Sequence, residues 1–567
     1  MNVNVNSRFS QVPQVQNVRS KFAMDTSVKT SLDVGALVPF YYEECLPGDT
    51  WSVETNMIAR MQPLIAPIMD DLYLDVYYFF VPNRIVWDHW REFMGENTQS
   101  AWYPQTEYNV PHVKYTGEYQ PEFNSIADYF GIPVPSDGTE LDFSVSQLPF
   151  RAYCEIWNEW FRDENLQDPV LVDKGDSDVT YDNQSTYGGA LLPVNKYHDY
   201  FTSALPDAQK GPDVYLPIND IAPVVISQDK HDVYLASEYD PDVAWNDMNH
   251  YGLSGILYGT TNSSANVYTP LYAHGIQQNT PLVDVVGGSG GTGGVANRYF
   301  QPDNLWADLT QTTGTSINAL RLALATQSFY EKNARGGTRY RELIKSHFGV
   351  TSPDGRMQVP ELLNYSRINV NINQVVQQSQ STEDSPLGTQ GAYALTADSD
   401  YSFSKSFTEH GMIIGVMCAR YKHSYQQGLN KRFSRRTMFD YYFPVFANLG
   451  EQPIYNKEIF VSDSNETNNE VFGYQEAYAD YRYHPDIVTG EMRSNHPNTL
   501  DVWHLADWYD TRPSLSPDWI KEDKSNVDRV LTVSSNVANQ MWADIYINAD
   551  AVRVMPMFSI PGLPRTL

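Results

Sequence analysis

Cysteine is nearly absent from this chain. Its 567 residues include only Cys45, Cys154 and Cys418, an odd and scattered set with no CxxC spacing. That excludes a disulfide framework and a zinc ribbon, and it fits a reducing compartment. Long apolar runs are missing too. Nothing approaches the ~20 residues of a membrane span, and the polar opening MNVNVNSRFS lacks the core of a secretory signal, so no membrane insertion is expected. Charge is thin, at 19% of residues, against ~25% in an average domain. It is also lopsided, with 39 Lys and Arg against 69 Asp and Glu leaving −30. Such a balance repels phosphate polymers at long range, so any nucleic-acid contact has to be local.

Catalytic patterns are equally scarce. No HExxH, Walker A or EF-hand motif occurs. Gly288, Gly290 and Gly293 satisfy GxGxxG, but the following VANRYFQPD, with Pro302, cannot open the helix a dinucleotide site needs. Gly287, Ser289 and Gly291 satisfy GxSxG without the strand and helix of a nucleophile elbow. His198, His410 and His504 stand singly and read as structural. The neighbouring carboxylates Glu43 and Glu44, or Asp70 and Asp71, would point to opposite sides of a strand. The chain reads as no enzyme, with no metal and no cofactor.

What the chain has is aromatic and turn-forming residues: 39 Tyr, 12 Trp, 34 Pro and 34 Gly. These favour strands and long loops. In DLYLDVYYFFVP (71–82), Leu72, Leu74, Val76, Tyr78 and Phe80 alternate with Tyr73, Tyr77 and Phe79, the pattern of a strand buried on both faces and ended by Pro82. Near the C-terminus Trp542, Asp544 and Tyr546 alternate with Ala543, Ile545 and Ile547, and the reading then places a turn before a second short run, Val552 to Phe558. Helices are few. Tyr153, Ile156, Trp157, Trp160 and Phe161 follow helical spacing behind Pro149, which puts Trp157 and Trp160 on one buried stripe. A second helix is expected over 316–332, closed by Gly336 and Gly337. The coarse class is mainly β with helical insertions.

Three stretches stand out by charge. Residues 1–30 carry Arg8, Arg19, Lys21 and Lys29 against Asp25 and read as a basic polar arm too poor in apolar residues to fold alone. From Met417 to Arg436 the chain holds Arg420, Lys422, Lys431, Arg432, Arg435 and Arg436 with no acid, interleaved with Tyr421, Tyr425 and Phe433. Cations with aromatics suit single-stranded nucleic acid; the other reading is an acid-pairing patch at a subunit contact. Between 219 and 305, by contrast, only Lys230 and Arg298 face nine acids. That stretch keeps Tyr234, Tyr239, Trp245, Tyr251, Tyr258, Tyr268 and Tyr272, rigid contact groups of the kind recognition surfaces use, and the glycine run 287–294. It reads as an exposed insertion.

Ten ordered segments resemble the major capsid proteins of the Microviridae, specifically the gokushovirus-like bacteriophages with circular single-stranded DNA. Among them are LVPFYYEECLPGDTW (37–51), IMDDLYLDVYYFFVPNRIVWDHW (68–90), LPFRAYCEIWNEWFRDENLQDP (148–169), EHGMIIGVMCARYKHSYQQG (409–428) and GYQEAYADYRYHPDIVTGEMRS (473–494). The resemblance implies an eight-stranded viral jelly roll with long loop insertions, formed by 31–218 and 306–567, with 219–305 as a surface protrusion. It implies sixty copies in a T=1 icosahedral virion shell, assembled in the host bacterial cytoplasm around single-stranded DNA. On that reading the protrusion tyrosines and tryptophan meet a bacterial surface receptor. Arg8, Arg19, Lys21 and the six cations from Arg420 to Arg436 face DNA or a small basic DNA-packaging protein. The alternative is a carbohydrate-binding or carbohydrate-active jelly roll, for which richness in Tyr and Trp is equally natural.

Overall fold

The structure, a computed structural model, describes residues 18–97, 106–136, 139–214, 317–378, 388 and 390–558, together with short strand pieces between 224 and 307. The chain divides into two compact units, Met1–Gly211 with Tyr330–Leu567, and Pro212–Phe329. The two larger sheets belong to the first. Their strands are β1 (Ser20–Ala23), β2 (Thr26–Leu32), β3 (Val38–Cys45), β4 (Thr50–Met61), β5 (Leu72–Pro82), β6 (Glu361–Asn369), β7 (Ile372–Val376), β8 (Gln390–Ser406), β9 (Gly411–Tyr421) and β10 (Met541–Arg553).

In sheet one, β10 pairs with both β1 and β2 along one edge and with β4 on the other, followed by β8 and β7. Sheet two runs β6, β5, β9, β3. All of these pairings are antiparallel. Except from β5 to β6, successive long strands change sheet: β2 lies in the first, β3 in the second, β4 in the first, β5 and β6 in the second, β8 in the first, β9 in the second and β10 in the first. The chain leaves β5 at Pro82 and comes back as its neighbour β6 only at Glu361. The interval between them, 83–360, includes the second unit, Pro212–Phe329.

The two sheets differ in burial, and the sequence pattern says why. β4 and β10 alternate buried and exposed residues, so sheet one has one face inward. β5 and β9 are buried almost throughout, so the centre of sheet two is covered on both faces, while its edge strand β6 stays half-exposed. Between the sheets Trp51, Val53, Met57 and Ile545 of sheet one share a core with Tyr78, Phe80, Ile413 and Met417 of sheet two. On the far face of sheet two Phe79, Val81, Ile414 and Val416 pack against the helix α1 (Leu148–Ile156) through Phe150, Tyr153 and Ile156. Each such buried large side chain contributes about 1.5–3 kcal/mol before entropy is deducted. Tyr153 adds polar anchors: its hydroxyl donates to the Leu37 carbonyl at 2.7 Å and accepts from the Leu192 N–H at 3.0 Å.

Three expectations change in detail. The C-terminal run is one uninterrupted strand, because Ala549 and Ala551 continue the buried face past Asn548, where a turn was expected. The helix behind Pro149 gives way to a π-helical turn at Trp157–Phe161. The extra residue per turn rotates Trp160 off the stripe. Trp157 stays buried and donates to the Pro193 carbonyl at 2.7 Å, while Trp160 is half-buried, donates to Pro360 and lies under the Arg341 guanidinium at 4.4 Å. Finally, the expected second helix extends to Gly336, as α2 (Ile317–Gly336), held by buried Asn333 and Ala334. Gly337, at φ +87°, ends it in a backbone state that favours glycine. The glycine motifs of 287–294 lie outside the described residues.

The burial contrast sets an expected outcome. Trp157→Ala should lower the unfolding free energy in urea by about 3–5 kcal/mol through the cavity it leaves, and Trp160→Ala by clearly less. Equal losses would contradict the rotation at the π-turn.

Candidate nucleic-acid interface and the buried ion pairs

The basic residues do not gather into one free patch. Arg420, near the end of β9, turns inward, with its side chain 13% exposed, and donates to the Asp75 carboxylate at 2.5 Å and to the Tyr77 hydroxyl at 3.0 Å. Asp75 lies mid-strand on β5 with no exposure. It also accepts from Arg367 at 2.8 Å, from the Tyr197 hydroxyl at 2.7 Å and from the Tyr365 hydroxyl at 3.1 Å. Both guanidiniums rest against the Tyr197 ring, at 4.4 Å for Arg367 and 4.2 Å for Arg420. Burial alone would raise the carboxyl pKa, but the Arg367 hydrogen bond, the Arg420 charge and the Tyr197 hydroxyl outweigh it and hold the group below its ordinary value.

The remaining cations divide into paired and free. Lys422 meets Asp486 at 3.0 Å in the open, a contact worth little. Lys431 lies 3.9 Å from buried Glu458, and Arg435 is paired with Asp480. The side chains of Arg432 and Arg436 are exposed and form no ion pair among the described residues. Towards the N-terminus, Arg8 lies outside the described residues. Arg19 donates to the Gly48 carbonyl at 2.9 Å, and Lys21 pairs with Asp550 at 2.8 Å. The stretch from Ser20, expected as part of the arm, forms the edge strands β1 and β2.

A cavity of about 280 Å³ lies beside the basic segment, lined by the stacked rings of Tyr200 and Tyr483 and by Phe433. It also carries the carboxylates of Glu458, Asp480 and Asp486 against Lys431 and Arg493. Two of these carboxylates are also answered from outside the lining, Asp486 by Lys422 and Asp480 by Arg435. Of the residues expected at the protrusion, Tyr234, Tyr268 and Tyr272 fall on short strands of the second unit, Tyr234–Ala236, Val267–Tyr268 and Leu271–Tyr272. Tyr239, Trp245, Tyr251 and Tyr258 lie outside the described residues.

One charged cluster escaped the motif search altogether. His423, two residues beyond β9, is buried between Asp507, whose carboxylate oxygens lie 3.0 and 3.1 Å from Nδ1, and Glu522, 2.7 Å from Nε2. Asp507 also receives the Tyr509 hydroxyl at 2.8 Å and the Asn526 amide at 2.6 Å, with the Lys196 ammonium at 3.5 Å. Burial disfavours an imidazolium, yet the two carboxylates override it, and the His423 pKa is pushed up from 6.5 to about 10. With both ring nitrogens engaged, His423 has none left to act as a base. Its partners stand 84 and 99 residues away, so no local spacing could have revealed them.

The family described as capsid protein (F protein) matches residues 10–563. The chain belongs to that capsid protein family. It is 38% identical to capsid protein VP1 of Chlamydia phage 1, over 99% of this chain and 98% of that protein. Capsid protein VP1 of Bdellovibrio phage phiMH2K is also 38% identical, over 98% and 97%. Capsid protein VP1 of Spiroplasma virus 4 is 37% identical, over 96% of each. The resemblance drawn from the sequence motifs therefore holds, and the carbohydrate reading is not favoured. As a capsid protein, the chain is a virion component of a single-stranded DNA bacteriophage of Microviridae type, working in a multimeric shell. Among the described residues no helix is long and apolar enough to cross a membrane, and no group of His, Cys, Asp and Glu could hold a metal ion.

The raised pKa of His423 fixes a pH dependence. The stability it supplies is complete below about pH 6.5, the unfolded value, and is lost as pH rises through about 10. His423→Gln strands two buried carboxylates and should cost about 3–5 kcal/mol near pH 6. Urea unfolding of both proteins should show that difference shrinking towards pH 10. A difference that does not change with pH would contradict the protonated clamp.

Proposed function

We propose that the chain builds a T=1 icosahedral shell of sixty copies around a circular single-stranded DNA genome, each subunit an eight-stranded jelly roll. The observation that carries the shell reading is the family match across residues 10–563. The jelly roll is supported by the strand orders β2, β10, β4, β8 and β3, β9, β5, β6, in which the chain changes sheet between successive long strands except from β5 to β6. Assembly would take place in the host bacterial cytoplasm.

Genome contact falls to the N-terminal arm with Arg8 and Arg19, together with a small basic DNA-packaging protein; Lys21 contributes less, since it is paired with Asp550. The cations of 420–436 contribute less, since Arg420, Lys422, Lys431 and Arg435 are answered by carboxylates of the same chain. The insertion of 219–305 is the outward protrusion that meets the bacterial receptor. Its scarcity of Lys and Arg and its row of Tyr and Trp support that role.

Electron microscopy of the expressed chain should show closed particles of one size; a monomer under assembling conditions would defeat the shell reading. Replacing residues 240–290 by a short Gly-Ser linker should leave particles that assemble but no longer adsorb to host cells. Normal adsorption would remove the attachment role.

A further inference from the structure

One segment of the first unit reverses the usual placement of apolar side chains. Residues 429–449 pass through three single-turn helices, Lys431–Phe433, Met438–Asp440 and Pro444–Phe446, and bury no side chain fully. Nine large apolar residues there are exposed, Phe433 by 82% and Val445 by 81%, with Met438, Phe439, Tyr441 and Phe443 between them. Single exposed apolar residues are ordinary on a protein surface; nine in one short segment mark a contact surface.

The segment is also held rigidly. At its base, any side chain on Gly428 would come within 1.9 Å of the Glu458 carbonyl, so the two backbones lie in close contact. Arg435 is tied to Asp480 and lies 4.3 Å from the Tyr481 ring and 5.3 Å from the Tyr441 ring. The Asp440 carboxylate accepts the N–H groups of Arg436 and Thr437, both at 2.7 Å, and the Tyr478 hydroxyl donates to the Phe439 carbonyl at 3.1 Å. A ridge ordered before it meets a partner loses little conformational freedom on docking.

We propose that this ridge seats on a second copy of this chain and forms a principal subunit contact of the shell, a proposal that rests on the shell reading above. Charge favours that occupant. Residues 429–449 hold Lys431, Arg432, Arg435 and Arg436 against Asp440 alone, a net of +3 on a chain of −30, so the rest of every copy carries −33. Arg432 and Arg436 remain for acidic groups across the contact. Aromatic residues, Met and Arg are the types that dominate interface cores. A nucleic acid fits less well. Two free cations against nine apolar groups would anchor few phosphates.

The test places the photo-crosslinking residue p-benzoylphenylalanine at Phe433 in the full chain and irradiates assembled particles. The ridge contact predicts a band of twice the chain mass, with both joined peptides derived from this chain. A nuclease-sensitive adduct, or crosslinks confined within one chain, would overturn it. In parallel, Phe433→Ser with Val445→Ser should leave the circular dichroism and melting of the unassembled chain unchanged and reduce particle yield at least tenfold. Wild-type yield would overturn the proposal, and if the double variant does not fold the crosslink alone decides. A wild-type chain that forms no particles would defeat the shell reading instead, and the ridge contact would then be judged by the same crosslink between copies in concentrated solution.

Discussion

The unexposed carboxylate of Asp75, in the middle of β5, is the constraint on which the first unit turns. A bare charge there would cost several kcal/mol, so it has to be met by cations and hydroxyls of good geometry. Arg367 comes from β6, Arg420 from β9 and Tyr197 from the covering loop, so one group joins three adjacent positions of sheet two to the layer lying over it. The central strands β5 and β9 are buried on both faces, with α1 packed across the far side. The His423 clamp repeats the device nearby, joining the chain beyond β9 to Asp507 and Glu522.

This arrangement suits a capsid subunit. Interior contacts of strongly specified geometry keep the sandwich rigid, while excursions leave the ends of its strands without disturbing it. Much of the length lies between β5 and β6, where the second unit, Pro212–Phe329, enters the chain, and between β9 and β10. The exposed ridge and the excursions can then serve contacts outside the subunit, where each copy in a shell has several neighbours.

Local pattern made part of this legible. The period-two alternation of β5 and the helical spacing of α1 follow from short-range geometry, and both elements appear where the pattern puts them. The π-turn at Trp157 was not legible, because one extra residue per turn leaves the apolar composition unchanged. Asn548 suggested a turn, but pairing of β10 with both β4 and β2 keeps the strand extended there. The stretch from Met417 to Arg436 contains no acid, which left nucleic-acid contact and an acid-pairing patch at a subunit contact both open. Its partners come from elsewhere: Asp75 stands 345 residues from Arg420, and Asp480 stands 45 from Arg435. Long-range pairing of this kind leaves no trace in local composition.

The claim that Asp75 locks sheet two to its cover is tested most directly by a double-mutant cycle on Asp75→Asn and Arg420→Gln, followed by urea unfolding of the unassembled chain. The account predicts a coupling energy of about 1–3 kcal/mol between the two positions. Effects that add to within about 0.5 kcal/mol would contradict it.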